Sequence, residues 1–212
     1  MKKRCFGAAL CMLAAFALWT ALVCLVDVRS IGPQGSRVGL AAINGWFHRL
    51  TGIHMVLYTF TDYLSIVPLC CVTGFGLLGL SQWIRRKSLA RVDRSILLLG
   101  GFYIAVFAAY ALFEVIVVNY RPVLINGHLE ASYPSSTTML VLCVMSTSIM
   151  QLQSRIKNRL WRRGITFALA IFALLMVITR LLSGVHWLTD VVGSVLLSAG
   201  LICLYASLSK TK

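Results

Sequence analysis

The residues with the clearest chemical potential lie near the C-terminal end of the chain, between Thr179 and Asp190. His186 and Asp190 are four residues apart, so on a helix they would share one face. A carboxylate beside an imidazole fixes the tautomer of the ring and leaves its other nitrogen free to act as a nucleophile or a base. The pair therefore predicts a reactive histidine.

Two arginines and a serine would give that histidine an anion-binding environment. Arg180 precedes His186 in the same stretch, and Arg121 follows a long apolar run. Each guanidinium offers paired donors in a planar fork that match the oxygens of a phosphate. Ser135 follows Pro134 at the start of another apolar run, where a helix N-terminus would favour an anion. Together these residues predict a phosphate site, although each one alone is more often a structural contact or a membrane anchor.

The elements that must hold these residues are long apolar segments. Hydrophobic residues make up 59% of the 212 residues and charged residues 12%, whereas soluble domains contain about 45–50% apolar residues. This composition excludes a disordered chain and indicates an integral membrane protein. Since about 20 apolar residues span a bilayer, the sequence predicts an all-α bundle of six transmembrane helices in a single domain, residues 1–212. The predicted helices cover approximately residues 5–26, 57–83, 96–118, 138–152, 165–179 and 186–208.

The net charge of +14 is explained by the direction of membrane insertion. Fifteen of the 20 Lys and Arg residues lie before the first predicted helix, after the sixth, or in the second-to-third and fourth-to-fifth connections. The positive-inside rule therefore predicts that these connections and both termini are cytoplasmic. Basic residues placed this way orient helices, so no nucleic-acid partner is predicted. The five on the other side are Arg29, Arg37, Arg49, Arg121 and Arg180.

The acidic residues show the opposite distribution, since five of the six lie on the outer side and only Asp93 is cytoplasmic. The predicted polar site therefore faces outward from a multi-pass protein of the cell membrane. The seven cysteines lie in apolar runs without metal-ligand spacing, so neither a disulfide nor a metal site is predicted. Residues 35–55 predict an amphipathic helix, which either lies in the outer headgroup layer or packs against the bundle.

At these residues the sequence resembles the type 2 phosphatidic acid phosphatase family, the membrane lipid phosphate phosphatases related to vanadium haloperoxidases. That family carries three motifs in order: Lys-x6-Arg-Pro, Pro-Ser-Gly-His and Ser-Arg-x5-His-x3-Asp. The third motif is complete here except that Thr179 replaces its serine. The first retains Arg121-Pro122, and the second retains Pro134-Ser135. Motif order, spacing and the six-helix topology extend the resemblance over essentially the whole chain.

The resemblance implies a role for each matching residue. His186 is similar to the nucleophile that receives the phosphoryl group, and Asp190 to its orienting partner. Arg121, Arg180 and Ser135 are similar to the residues that cradle the phosphate. The family needs no metal or other cofactor, and the implied partners are a phosphorylated membrane lipid and the bilayer around it.

Two motif positions depart from the family. Glu114 stands where the family has a phosphate-binding lysine, and its carboxylate would repel a phosphate unless it pairs with an arginine. Thr137 stands where the family has the histidine that protonates the leaving group, and loss of a general acid typically costs about 10²–10⁴-fold in rate. Thr137 cannot replace that acid at neutral pH. His128, Tyr133 and Glu114 are the nearby substitutes, although His128 is also typical of a solvated loop.

These departures leave three functions open. The first is a lipid phosphate or diphosphate phosphatase that acts through a phosphohistidine, which the retained His–Asp pair and both arginines favour. A phosphate leaving group, with a second pKa of about 6, needs less acid help than an alkoxide, so an isoprenyl diphosphate would suit this site better than phosphatidic acid. The second is an inactive family member that binds a phospholipid or polyprenyl phosphate. The third is a lipid phosphotransferase, which differs only in the acceptor.

Overall fold

The computed structural model describes residues 2–209, and these form eight α-helices, with longer connections over residues 26–40 and 116–135. Within this range the only β-structure consists of isolated bridges in loops. Lys210 and Lys212, which the charge pattern assigns to the cytoplasm, lie outside the described residues. The helices are α1 (Lys2–Leu25), α2 (Ala41–Thr51), α3 (Met55–Leu64), α4 (Ile66–Arg86), α5 (Arg94–Val115), α6 (Ser136–Arg155), α7 (Arg159–Leu182) and α8 (Leu188–Ser209).

Five helical segments within residues 2–209 are long and apolar enough to cross a membrane. One of them, Met55–Arg86, corresponds to the helix predicted over 57–83, and it is broken in two at Ser65. Pro68 explains the break because it has no N–H to donate to the carbonyl of Leu64. The proline is tolerated there because it lies in the first turn of α4. The other four segments are α1, α5, α7 and α8.

Helix α6, which matches the predicted helix 138–152, is not among those five because its composition is too polar. It lies in the middle of the bundle against α4, α5, α7 and α8. Two of its polar side chains find partners inside the bundle: Thr147 donates to the Cys143 carbonyl at 2.8 Å, and Gln151 donates to the Ser95 carbonyl at 3.0 Å. A helix that its neighbours shield from lipid needs no continuous apolar surface.

Helix α1 packs along α8, and small residues allow close approach. A Cβ atom on Gly200 of α8 would lie 2.7 Å from the Leu13 side chain of α1. Near the other end of the pair, the Trp19 indole donates to the Thr189 carbonyl at 3.1 Å. Close packing through small residues is a common way for helices to associate in lipid, so α1 supports the start of α8.

The loop between α7 and α8, residues 183–187, is fixed by the connection between α2 and α3. Gly184 has φ +66°, and a Cβ atom there would lie 1.8 Å from the backbone oxygen of Gly52. The His54 amide donates to the Ser183 carbonyl at 2.9 Å. Only glycine fits at position 184, because both the backbone conformation and the close contact exclude a side chain.

Basic side chains gather at the opposite end of the bundle, where α4 and α6 end and α5 and α7 begin. Asp93 lies among them, with its carboxylate 3.1 Å from Arg86 and 3.6 Å from Arg155. The two ends of the bundle therefore differ in charge as the sequence predicts. The end remote from this basic cluster carries His186.

Candidate active site

His186 and Asp190 lie where the 183–187 loop enters α8. Asp190 belongs to the first turn of the helix, whereas His186 precedes its first residue, Leu188, by two positions. The expectation that both share one helical face is therefore wrong, because the helix begins between them. Their side chains are nevertheless close and buried, with exposed fractions of 2% for His186 and 0% for Asp190.

A chain of hydrogen bonds passes through His186. Arg121 Nη1 donates to His186 Nε2 at 3.1 Å, and since a guanidinium has only donors, the ring proton is on Nδ1. Nδ1 donates to Ser132 Oγ at 3.1 Å, and the Ser132 hydroxyl donates to Asp190 Oδ2. The direct distance from Nδ1 to Asp190 Oδ2 is 3.8 Å, which is too long for a hydrogen bond. Ser132 therefore stands between the histidine and the carboxylate.

The Asp190 carboxylate accepts two further hydrogen bonds. The Trp187 amide donates to Oδ2 at 2.9 Å, and Asn119 Nδ2 donates to Oδ1 at 3.3 Å. Asn119 is itself oriented by the Gly39 amide, which donates to its Oδ1 at 3.2 Å. A buried carboxylate is costly unless donors surround it. These contacts fix its orientation.

Arg121 is held at the start of a short hairpin-like loop. Its amide donates to the Glu130 carbonyl at 3.0 Å, and its Nε lies 3.1 Å from Glu130 Oε2. Its guanidinium carbon is 5.8 Å from the centre of the Tyr58 ring. The same guanidinium thus contacts a carboxylate and the nitrogen of His186 that would attack a phosphate.

Arg180 is buried against α3, with 1% of its surface exposed. Its Nη1 donates to Thr61 Oγ1 at 3.0 Å, and its guanidinium lies 4.5 Å from the centre of the Tyr58 ring. No hydrogen bond joins Arg180 to His186 in the described part of the chain. Its Nε is buried without a partner among these residues. An unpaired buried donor costs about 1–3 kcal/mol, which an anion reaching this nitrogen would relieve.

Burial lowers the pKa of His186 from its ordinary value of 6.5 to about 4. The positive charges of Arg121 and Arg180 act in the same direction, whereas the nearby Asp190 carboxylate opposes them. His186 is therefore uncharged at neutral pH, and the proton on Nδ1 leaves a lone pair on Nε2. An uncharged imidazole is the form that a nucleophile needs.

A small cavity borders His186, with a volume of about 10 Å³, roughly the space that one water occupies. Glu114, Arg121 and Tyr133 line it together with His186. Glu114, at the position of the family lysine, therefore shares a cavity with the arginine and the histidine. Among residues 2–209, no cluster of three or more His, Cys, Asp and Glu side chains could hold a metal ion.

Two residues of the second motif are placed beside the cavity but not in it. Ser135 occupies the N-cap position of α6, but its hydroxyl hydrogen-bonds with the Thr138 hydroxyl at 3.0 Å and not with a backbone amide. The Ser135 amide donates to the Asp190 carbonyl at 3.3 Å. Thr137 is buried on a neighbouring face of α6 and lines the adjoining groove between α4 and α5. Pro134 and Ser136 of this motif line the cavity, whereas Ser135 and Thr137 do not.

The residues predicted to replace the general acid are not poised to donate to the cavity. The Tyr133 hydroxyl hydrogen-bonds with Thr20 of α1 at 2.7 Å, and burial raises the pKa of Tyr133 well above its ordinary value. His128 is exposed beside the turn at Asn126 and Gly127. Glu114 borders the cavity at the end of α5 and is otherwise exposed.

Sequence reasoning missed Ser132, Glu130 and Asn119, all in the segment between α5 and α6. The signal that could have found them is Asn126-Gly127, since this pair favours a tight hairpin turn. The chain folds back there, so that the Ser132 amide donates to the Asn119 carbonyl at 2.9 Å. The two arms of the hairpin pair two residues out of register with the turn that joins them. This shift in pairing determines which side chains lie opposite each other.

Comparisons with known proteins agree with this arrangement. The PAP2 superfamily matches residues 102–212, which is more than half of the chain, and the protein therefore belongs to that superfamily. The fold is similar to the crystal structure of a transmembrane PAP2-type phosphatidylglycerolphosphate phosphatase from Bacillus subtilis, with a TM-score of 0.64 and 15% identity over 95% of this chain and 94% of that chain. No curated protein matches the chain.

These findings confirm the family resemblance drawn from the motifs. They make the chain an all-helical, multi-pass membrane protein with the membrane PAP2 fold, and they support a phosphatase-type function. At 15% identity the structural similarity concerns the fold alone. The substrate and the roles of individual residues must be argued from the site itself.

Proposed function

We propose that the protein is a membrane phosphatase that removes phosphate from a phosphorylated lipid by means of His186. The observation that carries this proposal is the buried chain of hydrogen bonds from Arg121 through His186 and Ser132 to Asp190. This chain holds an uncharged imidazole with its lone pair beside a phosphate-binding guanidinium. A protein that only bound lipid phosphate would have no need of a buried neutral histidine.

In the proposed reaction His186 Nε2 attacks phosphorus while the bond to the leaving oxygen breaks and that oxygen takes the electron pair. Arg121 must first transfer its hydrogen bond from Nε2 to a phosphate oxygen, which its planar fork suits. Asp190, acting through Ser132, balances the positive charge on the phosphorylated ring. Water then attacks phosphorus and releases inorganic phosphate, which restores the neutral histidine.

The absence of a second histidine among the described cavity residues favours a leaving group that departs without strong acid catalysis. A phosphate leaving group has a second pKa of about 6, whereas a lipid alkoxide is far more basic. We therefore infer that a lipid diphosphate, cleaved to the monophosphate, is a better substrate than phosphatidic acid. The relative from Bacillus subtilis, described as a phosphatidylglycerolphosphate phosphatase, makes that lipid the natural third substrate to compare.

An apolar groove between α4 and α5 supports a substrate with a long hydrocarbon tail. Its upper part, about 380 Å³, shares Tyr110, Ser136 and Met139 with the cavity beside His186. Its lower part, about 560 Å³, shares Val72 and Tyr103 with the upper part. The groove therefore continues from the cavity along both helices.

Glycines keep the lower part of this groove open. Gly76 of α4 and Gly100 of α5 line it, and a Cβ atom on either would meet nothing within 4 Å. From Tyr110 to Ile96 the groove follows 14 residues of α5, about 21 Å at 1.5 Å per residue. We infer that the tail of an isoprenyl diphosphate lies here, with its headgroup at His186.

We further propose that the chain crosses the cell membrane six times, with α6 as the sixth crossing, both termini in the cytoplasm and His186 at the outer face. Helix α6 has 20 residues, about 30 Å, which matches the hydrocarbon thickness. The basic end of the bundle supports this orientation. A membrane-impermeant thiol reagent should label Asn126→Cys in intact cells but label Lys87→Cys only after lysis, and the reverse pattern would overturn the orientation.

The function is tested by phosphate release from undecaprenyl diphosphate, phosphatidylglycerol phosphate and phosphatidic acid by the purified protein in detergent. We expect the diphosphate to be hydrolysed fastest and His186→Ala to abolish release from every substrate. His128→Ala should retain it, since His128 lies in an exposed turn. Equal rates on all three lipids would contradict the leaving-group argument, and release that survives His186→Ala would exclude His186 as nucleophile.

The same assay separates the two alternative functions. Binding of a lipid phosphate without turnover of any substrate would identify an inactive binding protein, a reading that the contact between Arg121 and His186 Nε2 favours because it covers the nucleophile. Loss of phosphate from the lipid without free inorganic phosphate would identify a phosphotransferase. Radiolabelled terminal phosphate distinguishes these outcomes, because the label then appears in an acceptor.

A further inference from the structure

Ser132 fills the gap between the histidine and the carboxylate of the candidate active site. Its side chain is 3% exposed. Its Oγ lies 3.1 Å from His186 Nδ1 and hydrogen-bonds to Asp190 Oδ2, whereas those two atoms are 3.8 Å apart. The carboxylate therefore reaches the ring only through the serine hydroxyl.

The order of donors along this chain leaves one consistent arrangement. The Arg121 guanidinium has no acceptor, and an ionised Asp190 has no donor. The neutral ring and the hydroxyl between them each supply one donor and one acceptor. The ring must therefore accept at Nε2 and donate from Nδ1, and Ser132 must accept from the ring and donate to the carboxylate.

The backbone around Ser132 is fixed independently of His186. Its amide donates to the Asn119 carbonyl at 2.9 Å. The next residue, Tyr133, is packed between Phe16 and Phe113, with ring centroids 6.2 and 5.9 Å away. The serine is therefore presented to the histidine by the segment between α5 and α6, outside the Thr179–Asp190 motif that contains the pair.

Building on the proposed function, we propose that Ser132 is a positioning residue of the reaction, and that its hydroxyl holds His186 in the Nδ1–H tautomer on behalf of Asp190. Arg121 also favours this tautomer while it donates to Nε2, but in the proposed reaction that hydrogen bond moves to the phosphate. Without the Ser132 hydroxyl the ring can then place its proton on Nε2, which leaves no lone pair on the attacking nitrogen. When Nε2 bonds to phosphorus, the Nδ1–H stays hydrogen-bonded through Ser132 to the carboxylate. For histidines that bind a metal, removing such a supporting contact typically costs about 10–100-fold in activity, and we expect a loss of the same order here.

The kinetic test compares Ser132→Ala and Ser132→Thr with a matched control, Ser198→Ala. Ser198 is equally buried, lies in the same helix as Asp190, and its Oγ makes no hydrogen bond within residues 2–209. We expect Ser132→Ala to lower kcat by about 10–100-fold with KM nearly unchanged. Ser132→Thr, which keeps the hydroxyl, should recover most of the rate, and Ser198→Ala should match the wild type.

A double-mutant cycle tests whether the serine acts through the carboxylate. If it does, adding Ser132→Ala to Asp190→Asn should cost little beyond Asp190→Asn alone, because residues in one chain of contacts are not additive. A serine that mattered only for packing would lower the rate by the same factor in both backgrounds. Additive losses would therefore overturn the proposal.

A spectroscopic readout keeps the proposal testable in the absence of turnover. Nitrogen-15 chemical shifts of labelled histidine distinguish protonated from unprotonated ring nitrogens, and the signal missing from His186→Ala assigns His186. With inorganic phosphate bound, so that Arg121 donates to the anion instead of Nε2, we expect Nδ1–H in the wild type and in Ser132→Thr, and a shift toward Nε2–H in Ser132→Ala. A Ser132→Ala ring that keeps Nδ1–H overturns the proposal, whereas activity that survives His186→Ala refutes only the proposed function.

Discussion

The two sides of the cavity beside His186 differ in how their polar groups are arranged. On the side of the nucleophile, Asp190 accepts hydrogen bonds from three donors, and the imidazole is occupied at both nitrogens. On the side that faces α5 and α6, the residues of the family motifs are replaced by Glu114 and Thr137, and Thr137 faces the α4–α5 groove. One side therefore has the hydrogen bonds that the proposed attack by His186 requires, while the other offers no histidine as an acid.

This difference indicates which half of the chemistry has changed. The groups that prepare the nucleophile act on every phosphorylated substrate, whatever group departs. The acid matters only in proportion to the basicity of the leaving group. A site that keeps the first set and lacks the second is suited to a substrate whose leaving group is itself a phosphate.

The largest effect is expected on the nucleophile side, from Asp190→Asn. The asparagine amide is uncharged and cannot stabilise the positively charged phosphohistidine as a carboxylate does, so kcat should fall by up to about 10⁴-fold, as for the same substitution in a Ser-His-Asp triad. Phosphate release from the preferred lipid, with the melting temperature as a check on folding, measures this. A loss below about tenfold would show that the ordered side is not the one on which the rate depends.

The next effect should come from restoring the family residues with Glu114→Lys and Thr137→His together. We expect phosphatidic acid hydrolysis to rise by about 10–100-fold, within the range attributed to a general acid, while diphosphate hydrolysis changes little. The ratio of the two rates is the measurement. An equal rise for both substrates would mean that the substitutions improve phosphate binding and not leaving-group departure.

A smaller effect should follow from filling the lower groove with Gly76→Leu. Loss of room for two or three methylene groups, at about 0.8 kcal/mol each, should lower kcat/KM for a long isoprenyl diphosphate by about tenfold or more and spare farnesyl diphosphate. Gly74→Leu is the matched control, since Gly74 lies in the same helix with open space and does not line the groove. Equal effects of both variants on both substrates would exclude the groove as the tail site.

The smallest expected effect is the change in kcat/KM with pH near neutrality. His186 must be uncharged to attack, so kcat/KM should rise with pH through about 4 and stay level beyond it. The same lowered pKa means that the unfolded chain binds the proton more tightly, so this residue's contribution to stability is full above about pH 6.5 and is lost as the pH falls toward 4. A bell-shaped profile whose falling limb disappears in His128→Ala would reveal a general acid and break the contrast between the two sides.

The sequence motifs were sufficient to predict that His186, Asp190 and Arg121 meet, because family spacing and apolar runs bring the same ends of helices together. They could not predict Ser132 or Glu130, since the pairing of these residues depends on a two-residue offset in a loop. The sequence motifs also could not predict where the Arg180 side chain lies. Its guanidinium packs on Tyr58 of α3, a contact between helices far apart in the sequence.

Helix positions were predictable because lipid requires long apolar segments, and the boundaries differ only by a few residues. The break in the helix at Ser65 could have been predicted from Pro68. The hydropathy pattern alone predicts one continuous helix there. The helix predicted within residues 35–55 is present as α2, with Asn44 buried and Trp46 exposed. Its location in the outer headgroup layer stays a prediction, since membrane depth depends on the whole bundle.

The polar, shielded character of α6 also determines the parity of the membrane crossings. Counting only the five apolar segments places the start of α1 and the end of α8 on opposite sides of the membrane, whereas counting α6 returns them to the same side. The side of the membrane reached by a fluorescent reporter fused after α8 therefore depends on whether α6, a serine- and threonine-rich helix, crosses the membrane. If α6 crosses the membrane as proposed, a topology assigned from hydropathy alone inverts every connection that follows α6, including the loop that carries His186.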